Sequence, residues 1–162
     1  YNKTINNLSE NDSLLLEDYE NILNNPITDY DYNQAFIYVL SNAVKDNDSD
    51  YVLDLLSDNK FSSDDDMLNS YIYIVKANYL FIDDVDNYIK YYNKAISRVP
   101  SYDLKVEWSG DLVDFYLKDN DINKAKNVIA MLNKKIDIDE DLSRSAKDAF
   151  DFMESKVNQL IN

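Results

Sequence analysis

Apolar residues recur along this chain at spacings of three and four, the period of a helix that buries one face. The clearest stretch, Met67 to Pro100, reads as two helices broken at Asp83-Asp84. Ile72, Val75 and Tyr79 mark the buried face of the first. Tyr88, Tyr92 and Ala95, widened by Ile89, Ile96 and Val99, mark that of the second. Before this pair, Leu15, Tyr19, Ile22 and Leu23 predict a helix that stops at Asn24-Asn25-Pro26. Ala35, Phe36, Val39, Leu40 and Ala43 predict another to about Lys45, and Val52, Leu53, Leu55 and Leu56 a short third. After it, Leu104, Trp108, Leu112, Val113, Phe115, Tyr116 and Leu117 predict a helix to about Lys118. Ile122, Ala125, Val128, Ile129 and Leu132 form the next stripe. Leu142, Ala146, Ala149, Phe150, Met153, Val157, Leu160 and Ile161 form the last, with Arg144, Lys147, Asp148, Glu154 and Lys156 opposite. Residues 1–12 form a polar lead-in with only Ile5 and Leu8 to pack.

The punctuation agrees. Asn11, Asp12, Ser13, Thr28, Asp29 and Ser101 stand where helices begin, as oxygen-bearing residues that accept free backbone N–H groups. Ser62 or Ser63 is expected to cap the helix that follows, with Asp64, Asp65 and Asp66 in its first turn, complementing the macrodipole. Asp46-Asn47-Asp48-Ser49 and Asp119-Asn120-Asp121 read as turns, because Asn and Asp bond nearby backbone and tolerate unusual dihedrals. The chain has one Gly and two Pro among 162 residues. A sandwich or barrel needs many tight turns, so this shortage favours an all-α protein.

An internal repeat organises the helices. Lys45-Asp46-Asn47-Asp48 matches Lys118-Asp119-Asn120-Asp121 at an offset of 73 residues. The same offset sets Val39 on Leu112, Val52 on Ala125 and Leu56 on Ile129, with Val75, Tyr88 and Tyr92 halfway between. In this pattern the chain resembles the tetratricopeptide repeat (TPR) family over roughly residues 30–135. The middle unit offers Tyr79, Tyr92, Ala95 and Pro100 in register. The third offers Leu112, Tyr116, Ala125 and Ile129, and the first Val39, Ala43, Val52 and Leu56. Lys76 and Tyr88 depart from the family's small residues, and the spacing exceeds its 34 residues.

The resemblance implies a right-handed stack of antiparallel helix pairs, a TPR-like α-α superhelix, with a C-terminal capping helix. Its parts would be a lead-in and first helix (1–28), pairs at about 29–60, 64–100 and 101–136, and the cap (137–162). It further implies a concave groove lined by the first helix of each pair. Gln34, Ile37 and Ser41, then Tyr73, Ala77 and Phe81, then Glu107, Gly110 and Asp114 would project into it. Family members that clamp a peptide's C-terminal carboxylate use Lys, Arg and Asn in these slots. Their absence implies an extended or helical peptide of apolar or basic character.

Composition narrows the chemistry. Net charge is −15, from 31 acidic and 16 basic residues. That argues against direct nucleic-acid binding and against anionic membrane surfaces. The imbalance is greatest early, where residues 1–59 hold twelve Asp and Glu against Lys3 and Lys45. Residues 121–136 are locally basic, with Lys124, Lys126, Lys134 and Lys135. With no Cys and no His, the usual catalytic triads are excluded. Gly110 alone makes no phosphate loop, and no cofactor is implied. Asp46, Asp48 and Asp50 have calcium-loop spacing, but Tyr51 takes the Gly position and Ser57 that of the closing Glu. Asp137, Asp139 and Asp141 repeat the spacing, with Leu142 at the Gly position and Asp148 at the last. Both read as acidic turns. No apolar run reaches a membrane span.

The expected function is therefore a non-catalytic protein- or peptide-binding module. Alternatives are the ligand-sensing part of a peptide-responsive bacterial transcription regulator and an acidic mimic of nucleic acid that occupies a nucleic-acid-binding protein. The start at Tyr1 rather than Met reads as a fragment of a larger protein. The Asn-, Asp-, Tyr- and Ile-rich usage suggests a low-GC, Gram-positive-like bacterium, in its cytoplasm or at its surface.

Overall fold

The computed structural model describes residues 12–57 and 60–161, so the lead-in with Ile5 and Leu8, and Asn11, lie outside the described residues. Among these are eight α-helices and no strand: α1 Asp12–Asn24, α2 Asp29–Lys45, α3 Ser49–Leu56, α4 Asp66–Val75, α5 Val85–Arg98, α6 Tyr102–Lys118, α7 Ile122–Lys135 and α8 Arg144–Ile161. A π turn, Lys76–Leu80, extends α4. The chain forms two compact units that divide between Asp64 and Asp65.

In the first unit α2 packs against α1 and α3. Ala35, Phe36, Val39 and Leu40 on α2 are closed off from solvent together with Val52 on α3. Tyr19 stacks on Tyr38 with ring centroids 4.2 Å apart, and Phe61 folds back on Phe36 at 5.1 Å. The Tyr51 hydroxyl donates to Glu20 Oε2 at 3.2 Å. Desolvation, and then the Glu20 charge, push the Tyr51 phenol up to about 12.

The second unit contains two helix hairpins, α4–α5 and α6–α7. Helix α6 also packs on α5 and on α8. Trp108, Leu112, Val113 and Tyr116 carry α6 into a core shared with Tyr88, Tyr92, Ala125, Ile129, Phe150 and Met153. Helix α8 buries Ala146, Phe150, Met153 and Val157, but its stripe is narrower than its sequence suggests. Ala149 is exposed, and so are Leu160 and Ile161 in the final turn.

The repeated tetrapeptide makes the same joint in each unit. Asn47 and Asn120 adopt left-handed backbone, with φ 53° and 59°. Asp48 N–H donates to Ala43 O and Asn47 N–H to Val44 O, both at 3.0 Å. Asp121 N–H to Tyr116 O (2.8 Å) and Asn120 N–H to Leu117 O (3.1 Å) repeat the pattern. This is the Schellman closure, with Asn in the place usually taken by Gly. The following Asp then opens the next helix: Asp48 Oδ1 accepts from Tyr51 N–H and Asp121 Oδ1 from Lys124 N–H. Thr28 and Ser101 cap α2 and α6 as expected. For α4 the expectation is corrected. Asp65, not Ser62 or Ser63, is the cap, accepting from Met67 and Leu68 N–H at 2.8 and 3.1 Å. Aspartate caps as well as serine does, and Asp65 stands closer to the first apolar turn.

Asn47→Gly and Asn120→Gly should leave stability nearly unchanged. Asn120→Val should cost about 1–2 kcal/mol, because a branched side chain is strained at positive φ. Urea unfolding midpoints of the three variants check this.

Candidate functional site

The site is built around the π turn. Phe81 N–H donates to Lys76 O at 3.0 Å, closing a wider ring than an α-helix allows. The turn absorbs an additional residue and changes which side chains face inward. Ala77 is consequently fully enclosed against α5, and Tyr79 only half-buried. Asn78 is half-buried, its Nδ2 donating to Ile74 O at 3.0 Å and to the Tyr92 hydroxyl at 3.1 Å. The Tyr92 hydroxyl donates in turn toward Asp111 Oδ2 at 3.4 Å. The three residues link the first hairpin to α6.

Around them lies an open trough of about 450 Å³. Ile82, Tyr88, Tyr92 and Phe115 supply its apolar and aromatic surface. Asp111, Asp114, Asn78 and Lys118 supply its polar one. Tyr88 packs on Tyr92 and on Phe115 with centroids 4.8 and 4.7 Å apart. Ile82 stays 58% exposed, an apolar side chain held open at the rim. Glu107, Asp111 and Asp114 occupy positions i, i+4 and i+7 of α6, which is one helix face. Desolvation raises the Asp111 carboxyl above its ordinary value. The Glu107 charge and, more weakly, that of Asp114 add to this, while the bond from Tyr92 opposes it. The Tyr92 phenol is itself pushed up, chiefly by burial. Lys156 of α8 pairs with Asp114 at 2.5 Å.

Within the second unit the residues expected to line a groove fall in different places. Asp114 lines the trough and Glu107 is exposed two turns back along α6. Tyr73 and Phe81 instead pack on Tyr91 of their own hairpin, with centroids 5.7 and 4.8 Å away. Lys94 Nζ lies 5.0 Å from the Tyr91 ring centroid, and Arg98 Nη1 donates to the Tyr73 hydroxyl at 3.0 Å. Ala77, enclosed in the core, has no surface to offer a ligand. Gln34, Ile37 and Ser41 lie half-buried on α2 in the first unit, and Ser41 Oγ bonds Tyr38 O. Gly110 is half-buried on α6 with open space beside its Cα.

Asn78, Ile82, Asp111 and Phe115 join the trough without having been read as lining a groove. The spacing of Asp111 from Glu107 and Asp114 was the available signal. The acidic turns bond backbone: Asp137 Oδ1 accepts from Asp139 and Glu140 N–H, and Asp141 Oδ2 from Asp137 N–H. Among the described residues no three metal-ligating side chains gather, and no helix is long and apolar enough to cross a membrane. No family model, curated protein or solved structure matches this chain.

Tyr92→Phe should lower stability by about 1 kcal/mol through loss of the buried hydroxyl's bonds. It should also raise the Asp111 pKa further, because the bond that favours the charged carboxylate is gone. Urea unfolding and an NMR titration of the Asp111 carboxyl carbon check the two effects.

Proposed function

We propose that this chain is a non-catalytic protein- or peptide-binding module, arranged as a TPR-like stack of helix pairs, and that the trough beside Asn78, Tyr92 and Asp111 receives the partner. The single observation that carries this reading is the juxtaposition of exposed Ile82 and half-buried Phe115 with three acids, Glu107, Asp111 and Asp114, on one face of α6. Asp111 is exposed on α6, and the charges of Glu107 and Asp114 both act on its carboxyl. A cation placed there relieves that repulsion, while Ile82 and Phe115 offer apolar area to the side chains beside it. The complementary partner is a peptide segment that alternates basic and apolar residues. Aromatic anchors surrounded by charge suit such recognition, with the charges governing encounter and specificity.

A synthetic peptide of alternating Lys and Leu tests this, with its Glu-Leu counterpart as control. The Lys-Leu peptide should bind, more weakly as salt rises. Binding should strengthen as pH rises through the Asp111 titration, since only the ionised carboxylate attracts the peptide. Asp111→Asn should weaken it about tenfold while leaving the melting temperature close to that of the parent. Equal binding of both peptides, or an unchanged affinity in Asp111→Asn, removes the reading.

A further inference from the structure

A second trough, of about 380 Å³, lies between α5 and α7 and is floored by α6. Its charge is opposite to that of the whole chain. Lys105, Lys124 and Lys135 line it and no carboxylate does, in a protein with 31 acidic residues and 16 basic ones. Ile96, Val128, Met131 and Leu132 supply an apolar surface, and Met131 remains 50% exposed. This volume and mixture are those of a small-molecule site.

The polar groups are not used up by the fold. Lys105 Nζ donates to the last carbonyls of α5, Ile96 O at 2.6 Å and Ser97 O at 3.2 Å. An ammonium has three donors, so one remains. Burial, and then the charge of Lys135, hold the Lys105 pKa below its ordinary value, so the two ammonium groups repel across this site. Ser109 also lines the trough. It is 1% exposed, and its hydroxyl has no hydrogen-bond partner. A buried polar group without a partner is costly in an apolar surround. Lys124 differs from the other two, because Asp121 Oδ2 already engages it at 3.2 Å at the rim.

We propose that this trough binds a small amphipathic carboxylate. The aliphatic chain lies over Ile96, Val128, Met131 and Leu132. The carboxylate is taken by Lys105 and Lys135, with Ser109 as a further donor. An anion there cancels the repulsion between the two ammonium groups, which an uncharged ligand of the same shape cannot do. The site is separate from the acidic trough, as the two share only the helices that line them.

The probes are sodium octanoate below its micelle-forming concentration, octanamide and acetate, titrated into the whole chain and followed by backbone amide NMR shifts. Octanoate should shift amides of α7 and those near Lys105 and Ser109. Octanamide should bind about tenfold more weakly, as expected for loss of a charge-assisted bond. Acetate, which lacks the chain, should produce no saturable shift. Lys135→Gln, at an exposed position, should weaken octanoate about tenfold and leave octanamide and the melting temperature unchanged. Asp111→Asn should not alter octanoate binding, which separates this site from the acidic trough.

Equal binding of octanoate and octanamide would overturn the carboxylate assignment, leaving only an apolar trough. Saturable acetate binding would reduce the site to a simple anion site. Absence of octanoate binding, or tighter binding of the Glu-Leu peptide than of octanoate, would overturn the proposal outright.

Discussion

Helices α2 to α8 start with backbone N–H groups that have no partner within the helix, and side-chain oxygens accept them. Thr28, Asp48, Asp65, Asp84, Ser101 and Asp121 do so at the starts of α2 to α7, and Ser143 at the start of α8. The single glycine is not used as a turn. Asparagine at positive φ closes α2 and α6, and an aspartate one residue later opens the helix that follows. This joint turns one helix back on the next with three residues between them. The apolar faces of adjacent helices are thereby held in register for burial.

The same chemistry explains part of the acidity. An ionised carboxylate accepts a backbone N–H more strongly than a neutral one. Bonds from Asn87 hold Asp84 below its ordinary value, and the Lys124 backbone N–H does the same for Asp121. Asp103 is lowered by Ser143, whose N–H it accepts at 3.0 Å, tying the start of α6 to the entry of α8. These carboxylates stabilise the folded chain above the ordinary value of 3.8, and that contribution is lost as pH falls through their lowered values. Acid groups in capping positions thus have a structural use that their number alone does not disclose.

Charge that remains after capping is unevenly placed within the second unit. One face of α6 carries Glu107, Asp111 and Asp114 toward an aromatic trough, whereas Lys105 lies in another with Lys124 and Lys135 of α7. A single helix therefore separates two surfaces of opposite sign. Its interior residues, Trp108, Leu112 and Val113, belong to the core between them. An overall charge of −15 describes neither surface.

Much of the architecture is readable from the order of residues. Most helix limits, most of the apolar stripes and the joints at Asn47 and Asn120 follow from local preferences, because helical period and capping involve residues within four or five positions of each other. The buried set at Val39, Ala43, Val52 and Leu56, and at Leu112, Tyr116, Ala125 and Ile129, was legible in the 73-residue match for the same reason. The π turn at Lys76–Leu80, which packs against α5, was not, since helical periodicity assumes the ordinary α spacing throughout. With it went the true position of Ala77 and the role of Asn78. Only the tertiary structure placed Tyr92 beside Asp111, 19 residues away, and gathered Ile96, Lys105 and Lys135 from three helices around one space. Periodicity states which side of a helix is oily; the angles and separations at which helices meet decide what stands across a gap.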